Sequence, residues 1–142
     1  MKLNGYRLTS VNQTGRKMIQ IIRKYANDIG DLAYLPLKEY FYYIATLPYY
    51  KDPLAVEFVQ RPKYSLRDTP FRDCDDKTIL MASWAYLNNF PCRIVAVGMK
   101  RLSHVFSEFK LDGMWITMDA TYPHSQPGKS RYWPKRHCFG VV

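Results

Sequence analysis

Residues 103–121 read Ser103-His104-Val105-Phe106-Ser107-Glu108-Phe109-Lys110-Leu111-Asp112-Gly113-Met114-Trp115-Ile116-Thr117-Met118-Asp119-Ala120-Thr121. Two alternating runs flank Asp112-Gly113, a dipeptide that favours a tight two-residue turn between antiparallel strands. The turn pairs Leu111 with Met114 and, counting outward, Ser107 with Met118. One face then carries Val105, Ser107, Phe109, Leu111, Met114, Ile116, Met118 and Ala120. The other carries His104, Phe106, Glu108, Lys110, Trp115, Thr117, Asp119 and Thr121. His104 and Asp119 share this second face as diagonal neighbours, with Cβ atoms about 7 Å apart, within reach of an Asp–His hydrogen bond. A one-residue slip would send one of the two side chains to the opposite face.

Upstream, Arg93-Ile94-Val95-Ala96-Val97 reads as a further strand. Before it, Asp73-Cys74-Asp75-Asp76-Lys77-Thr78 heads a helix whose buried stripe is Ile79, Leu80, Ser83, Trp84 and Leu87. Asp73 is placed to cap that helix, Asp75 and Asp76 suit the positive end of its macrodipole, and Asn88-Asn89 with Pro91 end it. Met18, Ile21, Ile22 and Tyr25 give helical periodicity over 14–25, and Gly30 marks a break. Pro36 can start a second helix over 37–47, which Pro48 stops. Pro53, Pro62 and Pro70 punctuate a loop-rich stretch with a short strand expected over 56–59.

The chain has 142 residues, 47% hydrophobic and 23% charged, which fits one globular domain with a real core and excludes a disordered chain. There are 21 Lys+Arg against 12 Asp+Glu, a net charge of +9. This balance suits an anionic partner through a basic surface, or simply a solvated basic surface. Lys129, Arg131, Lys135 and Arg136 cluster near the C-terminus with Tyr132 and Trp133 between them. That pattern fits a nucleic-acid contact or a tail held on the domain by its aromatics. Three cysteines, Cys74, Cys92 and Cys138, without CxxC spacing, make neither a disulfide framework nor an ordinary zinc site. They point to a reducing compartment. Residues 1–7 lack the apolar core of a signal peptide, and no window reaches transmembrane length, so neither secretion by a signal peptide nor membrane insertion is expected.

Cys74, His104 and Asp119 together suggest a nucleophile, its base and an orienting acid. A free thiol is mostly protonated at neutral pH, and a helix N-terminus with a neighbouring imidazolium lowers its pKa. Asp73, Asp75 and Asp76 oppose that shift unless they cap the helix or point away. Each member alone is more often structural: a buried small Cys, a hydrogen-bonded surface His, a turn-forming Asp. The shared face of His104 and Asp119 makes the combined reading competitive.

Residues 73–83 and Asn89-Phe90-Pro91-Cys92-Arg93-Ile94-Val95-Ala96-Val97-Gly98 resemble the core of the transglutaminase-like superfamily. So do 103–109 and 112–123, and residues 49–62 are similar to short phage and prophage members of it. The resemblance implies an α+β fold with a papain-like/transglutaminase-like core, N-terminal helices and a Cys-bearing helix packed on a small antiparallel sheet. The expected organisation is a transglutaminase-like domain over 1–123, N-terminal helices included, followed by a basic aromatic tail, 124–142, packed on the domain or extending from it. The resemblance implies a Cys–His–Asp triad in which Cys74 is the nucleophile, His104 the base and Asp119 the orienting acid, with no metal or organic cofactor. Gln60 is an oxyanion-donor candidate, its alternative task being to position the loop before Pro62. Arg72 stands where the family often has Gly, and 124–142 matches no part of the pattern.

The expected activity is thiol-dependent acyl transfer on peptide or carboxamide bonds of a protein or peptide substrate, with hydrolysis preferred over crosslinking. The rival expectation is a structural or adaptor component of a phage particle, bound to phage structural proteins, that keeps the fold with little or no catalysis. The corresponding locations are the bacterial host cytoplasm and the virion.

Overall fold

The computed structural model describes residues 5–8, 11–51 and 57–142. Pro53 and Val56, read above as loop and strand start, lie outside the described residues, as do 1–4 and 9–10. The elements are β1 (Gly5–Leu8), α1 (Val11–Tyr25), a 3-10 segment (Ala26–Tyr34), α2 (Leu37–Thr46), β2 (Glu57–Gln60) and α3 (Pro62–Ser65). Then follow α4 (Cys74–Leu87), β3 (Cys92–Gly98), β4 (His104–Leu111), β5 (Met114–Met118) and β6 (Lys135–Val141). Helices and antiparallel sheet are segregated along the chain, an α+β arrangement. No helix among the described residues is long and apolar enough to cross a membrane.

A four-stranded antiparallel sheet in the order β5-β4-β3-β6 forms one layer, and β1 pairs with β2 apart from it. The β4–β5 register is the one the Asp-Gly turn dictates, with Leu111 opposite Met114 and Ser107 opposite Met118. Asp112 and Gly113 both take positive φ, 50° and 79°, as a two-residue hairpin turn requires. The two faces separate as the alternation demands. Val105, Phe109 and Met118 join the main core, while Phe106 packs with Val95, Val97 and Trp133 on the other side. Met114 falls on the core face by register but, at the hairpin tip, is 63% exposed.

Helix α4 lies at the centre. The sequence predicts a buried stripe; the structure buries every residue from Asp75 to Ala85. It is enclosed by α1, the 3-10 segment, α2 and α3 on one side and by β3 and β4 on the other. Trp84 joins the layers, stacking on Phe109 of β4 with a centroid distance of 6.2 Å and on Phe90 at 5.5 Å. Its indole N–H donates to Leu35 O at 3.0 Å.

The largest departure from the sequence reading is β6. The sequence reading makes 124–142 a tail after the domain, whereas residues 135–141 of it supply an edge strand on β3. A bulge between Ile94 and Val95 leaves Phe139 as the extra residue, and its ring packs on the core against Gly15 of α1. A Cβ at position 15 would collide with that ring. This explains a glycine inside a helix, where it costs about 1 kcal/mol relative to alanine.

Glu108 ties three strands together. Its Oε1 accepts from Arg93 Nε of β3 at 2.7 Å and from Arg136 Nη2 of β6 at 2.6 Å. Burial alone would raise the Glu108 pKa; the hydrogen bonds from Arg136 and Arg93 outweigh it and hold the carboxyl below its ordinary value of 4.5. A depressed carboxyl pKa contributes stability that is present above the unfolded-state value and is lost as pH falls through the folded-state value. Glu108→Gln is therefore expected to lower unfolding free energy by about 1–3 kcal/mol at pH 7. In urea titrations the gap to wild type should close as the pH drops below 4.5.

Candidate active site

Cys74 is the first residue of α4, and the acidic residues around it build the helix start. Asp73 is the N-cap: its Oδ1 accepts from Asp75 N at 3.0 Å and from Asp76 N at 3.4 Å. Asp76 Oδ2 accepts in return from Asp73 N at 3.1 Å, which completes a capping box. Two of the three aspartates are thus engaged with backbone N–H groups. Thr78, one turn on, donates its hydroxyl to Cys74 O at 2.7 Å and lies 3.2 Å from Val105 O, locking the head of α4 against the strand that carries His104.

His104 begins β4 and Asp119 follows β5, and His104 Nε2 lies 2.7 Å from Asp119 Oδ2. An ionised carboxylate only accepts, so Nε2 carries the proton of this bond and Nδ1 is the nitrogen left for the thiol. The imidazole stacks on Trp133 at 5.7 Å and tilts against Phe106 at 6.0 Å, which fixes its plane. Cys74, His104 and Asp119 line one cleft of about 630 Å³, together with Tyr49, Tyr122 and Trp133.

Sequence reading missed the support behind Asp119. Its Oδ1 accepts from Thr121 N at 3.2 Å and from the Thr121 hydroxyl. The Thr121 carbonyl accepts from the Lys77 ammonium at 2.7 Å, and Lys77 also donates to Ala45 O at 3.1 Å. An Asp-x-Thr turn is a recognisable local pattern. A lysine inside an apolar helix was the signal available for the other member.

Arg72, the departure from the family pattern, is buried at 4% exposure. Its guanidinium donates to Ser65 O, Pro48 O and Arg67 O at 2.7, 2.9 and 2.8 Å, and its backbone bridges to Tyr50. The side chain therefore stitches the loops that lead into α4. Gln60 is buried, its amide donates to Phe71 O at 2.6 Å, and it is not among the residues lining the cleft. Tyr49 does line it. Burial first, then the negative potential of Cys74 and Asp73, pushes its phenol far above the ordinary value, so it stays a neutral O–H beside the thiol.

Asp73, Cys74 and Asp75 place ligand atoms within 4.8 Å of one another, the one such group of potential metal ligands among the described residues. The Asp73 carboxylate is already the helix cap. Burial, more than the pull of Glu108, pushes the Cys92 thiol far up, while Cys138 is exposed. Comparison of the chain with family models, curated proteins and solved structures returns no match.

Burial first, then the nearby Arg72 charge, lowers the Lys77 pKa from 10.5 to about 8, with Asp119 pulling the other way. Between those values the unfolded chain binds more protons than the folded one, so stability rises with pH across that window. Relative to Lys77→Met, the wild type should gain up to about 3 kcal/mol between pH 8 and 10.5. Urea unfolding of both proteins at pH 7.5 and 10 checks this; parallel curves would refute it.

Proposed function

We propose that this chain is a thiol-dependent acyl-transfer enzyme of transglutaminase-like type with a papain-like core, acting on peptide or carboxamide bonds. The observation that carries this reading is the 2.7 Å His104–Asp119 hydrogen bond facing the same cleft as a cysteine at a helix N-terminus.

His104 Nδ1 takes the Cys74 proton as the sulfur attacks the substrate carbonyl carbon. The tetrahedral adduct collapses as the C–N bond breaks, His104 returns the proton to the departing amine, and a thioester remains on Cys74. His104 then takes a proton from water, which attacks the thioester and releases the acid and the thiol. Asp119 holds the ring in the required tautomer and stabilises the imidazolium. The neutral Tyr49 hydroxyl, which lines the same cleft, is the donor available to the oxyanion. Gln60 is a weaker candidate for that role, since its amide is given to Phe71. Hydrolysis is favoured over crosslinking because the cleft rim at Tyr122, His124, Gln126 and Ser130 is exposed and admits water.

Alkylation by iodoacetamide at pH 6.5 tests the reading, with exposed Cys138 as internal reference. Cys74 is expected to react at least about ten times faster than Cys138, and His104→Ala should remove most of that advantage. A particle component that keeps the fold without catalysis predicts the opposite: equal rates at the two cysteines, unchanged by His104→Ala.

A further inference from the structure

The cleft around Cys74 has an uneven charge. Lys51, Lys129 and Arg131 line it, and the one carboxylate among its lining residues is Asp119, already bonded to His104. The ion pairs among the described residues join Arg61 to Asp28, Arg93 and Arg136 to Glu108, and His104 to Asp119. None of them uses the three cleft cations. Arg131 is nonetheless held in place. Its guanidinium lies 4.5 Å from the Trp133 ring centroid and contacts the Met99 sulfur at 3.6 Å. Trp133 in turn stacks on His104. The positive rim is therefore fixed to the same side chain that orients the catalytic imidazole. Between Tyr122 and Lys129 the wall is polar, with His124, Ser125 and Gln126.

From this arrangement, and resting on the thiol acyl-transfer reading above, we infer that the acyl substrate is a peptide bearing a carboxylate that seats on Lys129 and Arg131. In the acyl-transfer reading the thiol attacks an acyl carbon, so the anion that binds beside it belongs to the acyl compound. A nucleic acid would satisfy the cations but offers Cys74 no carbonyl in an amide. The position of the carboxylate follows from the charges. Asp73 and Asp75 hold carboxylates within 4.8 Å of the thiol, which disfavours a second anion at the scissile bond itself. The substrate carboxylate sits instead toward the 129–131 rim. It belongs either to an Asp or Glu side chain or to a free C-terminus. Lys51 on the other wall adds to the same field. A part-exposed ion pair in such a rim adds selectivity and approach rate more than affinity.

The test uses the full chain and short peptidyl vinyl sulfones that alkylate cysteine. Three probes differ only in carrying Glu, Gln or Lys, and a further pair of Gln probes ends in a free carboxylate or an amide. The rate of Cys74 alkylation is read by intact mass. At low salt the Glu probe, or the free-carboxylate probe, should react about ten-fold faster than its neutral counterpart, and the Lys probe slowest. The arm with the larger ratio tells a side-chain carboxylate from a terminal one. In a Lys129→Ala/Arg131→Gln variant whose melting temperature matches wild type, the ratio should fall to about two or below. In wild type it should shrink at high salt. Equal rates across the probes, or a preference that survives the double substitution, overturns the inference. Stronger protection of Cys74 by a single-stranded oligonucleotide than by a Glu-rich peptide also overturns it. Each of those three results leaves the thiol reading standing if iodoacetamide labelling of Cys74 still depends on His104. Loss of that dependence removes the enzyme reading and the substrate with it.

Discussion

The capping box at the head of α4 is the interaction on which the molecule turns. A helix buried on all sides has no water to satisfy its first N–H groups, so its start must be closed by its own side chains. Asp73 and Asp76 do this reciprocally. Two carboxylates beside a thiol look adverse for a nucleophile, yet without them the helix would begin with orphaned donors in the core. The arrangement places the half-buried Cys74 at the start of a helix whose residues from Asp75 to Ala85 are all buried.

The site and the core share their supports. The path from His104 through Asp119 and Thr121 ends on the Lys77 ammonium, inside the central helix. Thr78, the next residue along, sits between the carbonyls of Cys74 and Val105. Two consecutive residues of α4 therefore fix both Asp119 and the strand of His104 relative to Cys74. A charged ammonium in this position also offsets part of the negative charge that the aspartates bring. Positioning by buried elements rather than by loops is what a site with sub-ångström tolerances needs.

What could be read from sequence was local or periodic. The hairpin register followed from Asp112-Gly113 and strict alternation, and the start of α4 from Asp73. Those features brought His104 and Asp119 onto one face before any coordinates. What escaped was non-local. β6 is mostly exposed and shows little apolar alternation, and its partner β3 lies far away in sequence, with β4 and β5 in between. Arg72 has no evident task in the sequence, because nothing there shows that three loop carbonyls converge to receive it. Lys77 has no role assigned to it by the sequence, although its ammonium binds two carbonyls from separate segments. Gln60 could be paired with Phe71 only in three dimensions.

The contact between Gly15 and Phe139 has a consequence for how the chain is made. Synthesis delivers α1 long before position 139 emerges from the ribosome, so the groove at Gly15 stays uncovered while the middle of the protein is still being translated. The strand that fills it also closes the edge of β3, and the neighbouring Val141 carbonyl takes a hydrogen bond from Arg23 of α1 at 3.2 Å. Early and late segments are thus cemented in a single step. Closure of this contact waits until position 139 has left the ribosome, and the 119–134 connection is the covalent tether that brings the cover to the first helix.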